Sequence, residues 1–383
     1  MQESLRRSTR EAEAARVDLE ETLRFSFQDL QGRLTEPGEI AALRDLAAEA
    51  WEHFRKGPAP VAPAGRVDLA RTYLALARVF SASQEPEQSI DLCGRALDLL
   101  GSGDTDTTAK NDTAKVLRVE IGLESAAAAF ALDRSGRSAP ALAPAVAALA
   151  GLVPSEDGDR KAAASFAALC RHAAELALQS GDPATAEAAA SLEAEVWNRI
   201  RDRSAVLTGI PDFSVEYHAR ALAFLGSIRE QRGDARAAET CLRAIILLER
   251  SLLTAAPAAD AAPFPAAWAE ILCDARATLA KTLELSQPRA AAAAWREAAA
   301  AAGTQPLPFP DLRGKQARAL GEAGRLLASL GESGEARAAY LEASRILLAA
   351  QRLGHAPPGQ REFLQEIEAR LRSLPESGDE TES

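Results

Sequence analysis

The side chains able to do chemistry are few and scattered along the chain. Four histidines, His53, His172, His218 and His355, show no HExxH spacing, and four cysteines, Cys93, Cys170, Cys241 and Cys273, form no CxxC or other metal-ligand pair. No metal site and no cofactor is expected. Cys170 and His172 are near neighbours, but two residues apart on a helix they point to different sides, which does not build a thiolate and imidazole nucleophile. Phosphate binding would need a Walker loop or a GxGxxG turn between strand and helix, and acyl transfer a GxSxG elbow; none occurs. Paired acids such as Glu20/Glu21 and Glu366/Glu368 stand among charged neighbours in helical stretches and read as solvated faces rather than as a general acid and base. Each cysteine falls inside a helical pattern and reads as a small buried hydrophobe in a reducing compartment. The expectation is a chain that binds and does not catalyse.

The elements that would position any binding residues follow from composition. Of the 383 residues 47% are hydrophobic but only 5% aromatic, and most of the apolar content is Ala and Leu. That bias favours helices packed close together over a sandwich or an α/β sheet, so the fold class is all-α. A net charge of −11 argues against general nucleic-acid binding, which depends on neutralising phosphates with Lys and Arg. No apolar signal core is seen at the charged start MQESLRRSTREAEAARVDLEETLRFSF. No run reaches the roughly 18 uncharged apolar residues of a membrane helix, and a cytoplasmic location is the default. Such a start is also what the edge of a piece from a longer membrane or multidomain protein would show. Heavy Ala and Arg usage fits a GC-rich bacterial genome.

Pro/Gly-rich or polar stretches punctuate the chain: GPAPVAPAG (57–65), GSGDTDTTAKND (101–112), AAPAADAAPFP (255–265), GTQPLPFPD (303–311) and HAPPG (355–359). Every segment between them reads as helix. One template recurs. Leu320, Ala323, Gly324, Leu327, Gly331, Ala336, Tyr340 and Ala343 share their spacing with Tyr73, Leu76, Ala77, Phe80, Gln84, Ser89, Cys93 and Ala96. Leu222, Leu225, Gly226, Gly233, Ala238, Leu242 and Ile245 repeat it, departing at Arg229 and Ile245. Leu279, Ala280, Leu283, Ala291, Trp295 and Ala298 repeat it with the turn one residue shorter. Segments 116–152 and 162–197 keep helix, turn and helix, with Ala in place of the aromatic fillers.

This pattern resembles the tetratricopeptide repeat, a helix-turn-helix unit of 34 residues with Leu-Gly in its first helix and Ala, an aromatic and Ala in its second. Small residues such as Gly324 and Ala336 are expected where two helices of a hairpin cross, and Leu327, Tyr340, Phe80 and Trp295 beside those crossings. The resemblance covers about residues 66–350 and implies a right-handed α-solenoid of about six units, with residues 358–374 as a capping helix and 66–374 as one domain. Residues 1–57 read as an N-terminal helical hairpin, with Leu23, Phe27, Leu30 and Leu34 on one face and Ile40, Leu43, Ala47, Ala50 and Phe54 on the other helix. Its DLQGRL stretch is similar to the segment that precedes repeats in some bacterial signalling proteins. The acidic tail, 375–383, has nothing to bury and reads as disordered.

The family usually binds peptides through first-helix side chains, and this points to a row of candidates. Two residues before each full template match stands an arginine, Arg71, Arg220 or Arg318, and five residues after each start stand Arg78, Ser227 and Arg325. Arginines along that face, free of any carboxylate that holds them all, would favour an acidic segment or a free carboxylate of another protein. The asparagines of the family's carboxylate-clamp subgroup are absent. The resulting expectation is a non-catalytic scaffold or adaptor, such as the partner-binding arm of a bacterial signalling or defence system, with no nucleic-acid partner, no membrane span and room for self-association. The alternative is a regulator that holds a small ligand or peptide pheromone and switches by superhelix change.

Overall fold

A computed structural model describes residues 37–56, 63–101, 110–132, 139–152, 160–204, 213–255, 266–304, 310–353 and 359–375. The first helix of the N-terminal hairpin and the end of the acidic tail lie outside them. Every regular element among the described residues is a helix: α1 (Pro37–Lys56), α2 (Pro63–Ala82), α3 (Pro86–Leu100), α4 (Lys110–Leu132), α5 (Ala139–Ala150), α6 (Arg160–Gln179), α7 (Pro183–Ser204), α8 (Phe213–Gln231), α9 (Arg236–Ala255), α10 (Ala266–Leu283), α11 (Pro288–Gly303), α12 (Pro310–Ser329), α13 (Ser333–Arg352) and α14 (Gln360–Ser373). The chain is an all-α helical-repeat protein. It divides into two compact units, one of Met1–Gly158 with Ala168–Leu192, the other of Asp159–Ala167 with Glu193–Ser383.

Four hairpins turn in the same way. The residue closing the first helix takes a left-handed conformation in each, Gln84 at φ 61°, Gly181 at 74°, Gly233 at 68° and Gly331 at 79°. Around it runs a pair of backbone bonds. In the last hairpin the Glu332 N–H donates to the Leu327 carbonyl at 2.9 Å and the Gly331 N–H to the Ala328 carbonyl at 3.1 Å. The equivalent outer bonds are Glu85 to Phe80, Asp182 to Ala177 and Asp234 to Arg229. This is the Schellman closure, which satisfies the orphan carbonyls of a helix end. Proline then opens α3, α7 and α11, where its missing N–H has no intrahelical use.

The α8–α9 turn differs by one residue. Ala237 donates to the Asp234 carbonyl, three residues back, where Ala336 donates to Glu332, four back. The inward face of the second helix therefore falls one residue closer to the turn glycine. Its buried line is Ala237, Cys241, Ala244 and Leu248, while the expected Ala238 is half-buried and Leu242 is 43% exposed.

The small residues sit under large ones. A Cβ on Gly324 would lie 2.9 Å from Cδ1 of Tyr340, and one on Gly226 would lie 2.5 Å from Sγ of Cys241. Gly324 thus accommodates the Tyr340 ring rather than Ala336, and the ring is almost fully buried. In the first unit α1 packs on α2: Trp51 and Phe54 both stand edge-on to Tyr73, at 5.7 and 6.5 Å between centroids, and the Arg95 guanidinium lies over Trp51 at 4.8 Å. In the second unit α14 closes the array. Ile367 is buried against the core, the Phe363 ring fills the space beside Gly321, and Arg337 donates to the carbonyls of Leu374 and Pro375.

Candidate functional site

Within each unit, first helices of neighbouring hairpins pack on one another. In one unit α2 packs on α4; in the other α10 packs on both α8 and α12. Charged side chains on successive first helices are thereby brought face to face.

Four of the five arginines singled out by the template are held by carboxylates. Arg71 donates to Asp68 at 3.4 Å and Arg220 to Glu216 at 3.2 Å, both within their own helices. Arg78 reaches from α2 to α4, with Nη2 3.3 Å from Glu120 and Nε 3.8 Å from Glu124. Arg325 reaches from α12 back to Glu284 at 2.6 Å and also holds Glu322 at 2.7 Å. Ser227 donates to the Phe224 carbonyl of its own helix at 2.7 Å. Arg318 alone is exposed and makes no ion pair with a described residue. These first-helix faces are therefore charge-paired and not bare basic rows. The four arginines remain 35 to 42% exposed, so each pair contributes about 0 to 1 kcal/mol.

The acids were missed in the sequence, together with Lys315, which bridges to Glu270 at 3.0 Å and Asp274 at 2.8 Å across the same α10–α12 contact. A signal existed. The partners lie about one repeat apart: 42 residues from Arg78 to Glu120, 41 from Glu284 to Arg325 and 41 from Asp274 to Lys315.

Thiol chemistry has no support at three of the four cysteines. Burial pushes Cys93, Cys241 and Cys273 up to about 12, so they stay protonated at neutral pH. Cys170 is fully buried too. Among the described residues no group of His, Cys, Asp and Glu is arranged to hold a metal ion, and no helix is long and apolar enough to cross a membrane.

A depression of about 670 Å³ opens where α14 meets α10, α11 and α12. Arg318 lies on its wall with Lys281, and Trp295 and Phe363 supply apolar surface. The N-terminal end of α14 also lies there: Gly359 is its N-cap residue and no side chain caps the helix.

No family model and no curated protein matches the chain. Among solved structures it is similar to a Rap protein complexed with Competence and Sporulation Factor, at 13% identity over 90% of this chain and 79% of that one, with a TM-score of 0.31. It is also similar to a circular tandem repeat protein with novel repeat topology, at 14% identity over 93% of this chain and 95% of that one, with a TM-score of 0.34. Neither likeness assigns a function.

Proposed function

We propose that this chain is a non-catalytic protein-interaction scaffold or adaptor of the tetratricopeptide type, and that its first-helix faces take an acidic or carboxyl-terminal segment of another protein. The observation that carries this reading is the recurrence of part-exposed arginines on the first helices α2, α8 and α12, with Arg318 left unpaired among the described residues. An incoming carboxylate meets Arg318 without an internal competitor. At Arg78, Arg220 and Arg325 it exchanges with a carboxylate already held, and because those pairs are half in solvent the exchange costs little. Paired charges of this kind set the orientation and rate of docking more than its strength. A place in a bacterial signalling or defence system, in the cytoplasm, completes the proposal.

The test is affinity purification from the native host, with the wild-type chain beside Arg318→Ala/Arg325→Ala. The double variant should melt within about 1 °C of the wild type, since only part-exposed pairs are lost, and should lose the co-purifying protein. Raised salt should weaken the wild-type complex in the same direction. Undiminished recovery with the variant would remove the arginines from the interface.

A further inference from the structure

The depression beside α14 has unspent hydrogen-bonding capacity of almost one kind. Glu284 and Glu322, on its wall, are held by Arg325, and Glu366 by Arg370 at 2.5 Å. No ion pair with a described residue is made by Lys281, Arg318 or Glu362, so two cations on the wall keep donors without an internal acceptor. Trp295 is 7% exposed, and its indole N–H, which can only donate, has no hydrogen-bond partner. The uncapped start of α14 presents further backbone N–H groups and the positive end of the helix dipole. Unpartnered donors thus gather over an apolar surface made by Trp295 and Phe363, while the charges of the wall and of its arginine partners balance.

We infer that this depression is a binding site for an organic monoanion, a carboxylate carried on an apolar or aromatic stem. The carboxylate would pair with Arg318 and Lys281, since a guanidinium and an ammonium make strong charge-assisted bonds to it. The stem would lie on Phe363 and the indole, and a small displacement of that ring would give its N–H an acceptor. A dianion such as phosphate suits the place less well, because the carboxylates of Glu362 and Glu366 share the same wall and would repel a second negative charge. The volume lies in the range of small-molecule sites, about 300 to 1,000 Å³. Such a carboxylate belongs either to a free small acid or to a chain terminus. Only the second source rests on the scaffold reading above.

The experiment uses the full chain labelled with ¹⁵N and follows the indole N–H signals of its four tryptophans. Trp295→Phe assigns the relevant signal; if that variant fails to fold, Trp51→Phe, Trp197→Phe and Trp268→Phe assign it by elimination. Phenylacetate and hexanoate are titrated beside phenylacetamide, and N-acetyl-Ala-Phe beside its C-terminal amide. The acids should move the Trp295 signal and the amides should not, while Arg318→Gln and Lys281→Gln, both exposed, should each weaken binding about tenfold. A response to the small acids supports a ligand site whether or not a protein partner exists. A response to the peptide acid alone supports the site and fixes its source as a chain terminus. No movement of the Trp295 signal at millimolar acid, equal binding of the amides, or full affinity in Arg318→Gln overturns the proposal.

Discussion

At the scale of single residues, the turns separate backbone geometry from packing. A Cβ added at Gly181, Gly233 or Gly331 would meet nothing within 4 Å, so these glycines answer to their positive φ and not to crowding. Gln84 occupies the same place with a side chain that resists that conformation. The two cases predict opposite signs. Gly331→Ala should cost about 1 kcal/mol, because the left-handed region disfavours a Cβ by about 1 to 2 kcal/mol. Gln84→Gly should stabilise by a few tenths to about 1 kcal/mol, the relief being partly offset by the greater freedom of glycine in the unfolded chain. Denaturant midpoints on both variants check this, and a Gln84→Gly chain less stable than the wild type would show that the Gln84 side chain is held by contacts worth more than the strain.

At the scale of the hairpin, what was legible in the sequence is what depends on spacing along one helix. Tyr73, Leu76, Ala77, Phe80, Ser89, Cys93 and Ala96, placed by the template, are all buried. The register of α9 was not legible. Gly233 and Gly331 look identical in sequence, and only the three-residue Ala237 to Asp234 bond reveals that the buried line of one helix falls a residue closer to its turn. The pairing of the arginines was hidden for a related reason: it joins helices a whole repeat apart, and a motif read within one repeat does not see it. The hairpin crossing gives its own prediction. Gly324→Leu must displace the buried Tyr340 ring and should lower stability by about 2 to 3 kcal/mol, after the gain in helix propensity is counted. Adding Tyr340→Ala should recover part of that loss, since the ring is what the new side chain strikes. Thermal melts of the single and double variants measure the coupling, and simple additivity would mean that the two side chains do not meet.

At the scale of the molecule, nearly all packing joins helices that are neighbours in sequence or one helix removed: α2 with α3 and α4, α10 with α8, α9, α11 and α12, α13 with α12 and α14. Stability in such an array approximates a sum over hairpins and the interfaces between successive hairpins, so a local loss spreads mainly to the neighbouring hairpins. The closing helix sharpens this. Ile367 and the Phe363 ring cover the last repeat, and Gln360 donates its side-chain amide to the Leu347 carbonyl. A variant such as Ile367→Asp therefore buries a charge at one interface only. Its damage should fall off with distance along the array. Native-state hydrogen exchange should show amides of α12, α13 and α14 losing protection, those of α8 and α9 losing less, and those of α2 and α3 keeping wild-type rates. Uniform loss across all of these helices would mean that the array unfolds as one cooperative block, and the nearest-neighbour account of its stability would then be wrong.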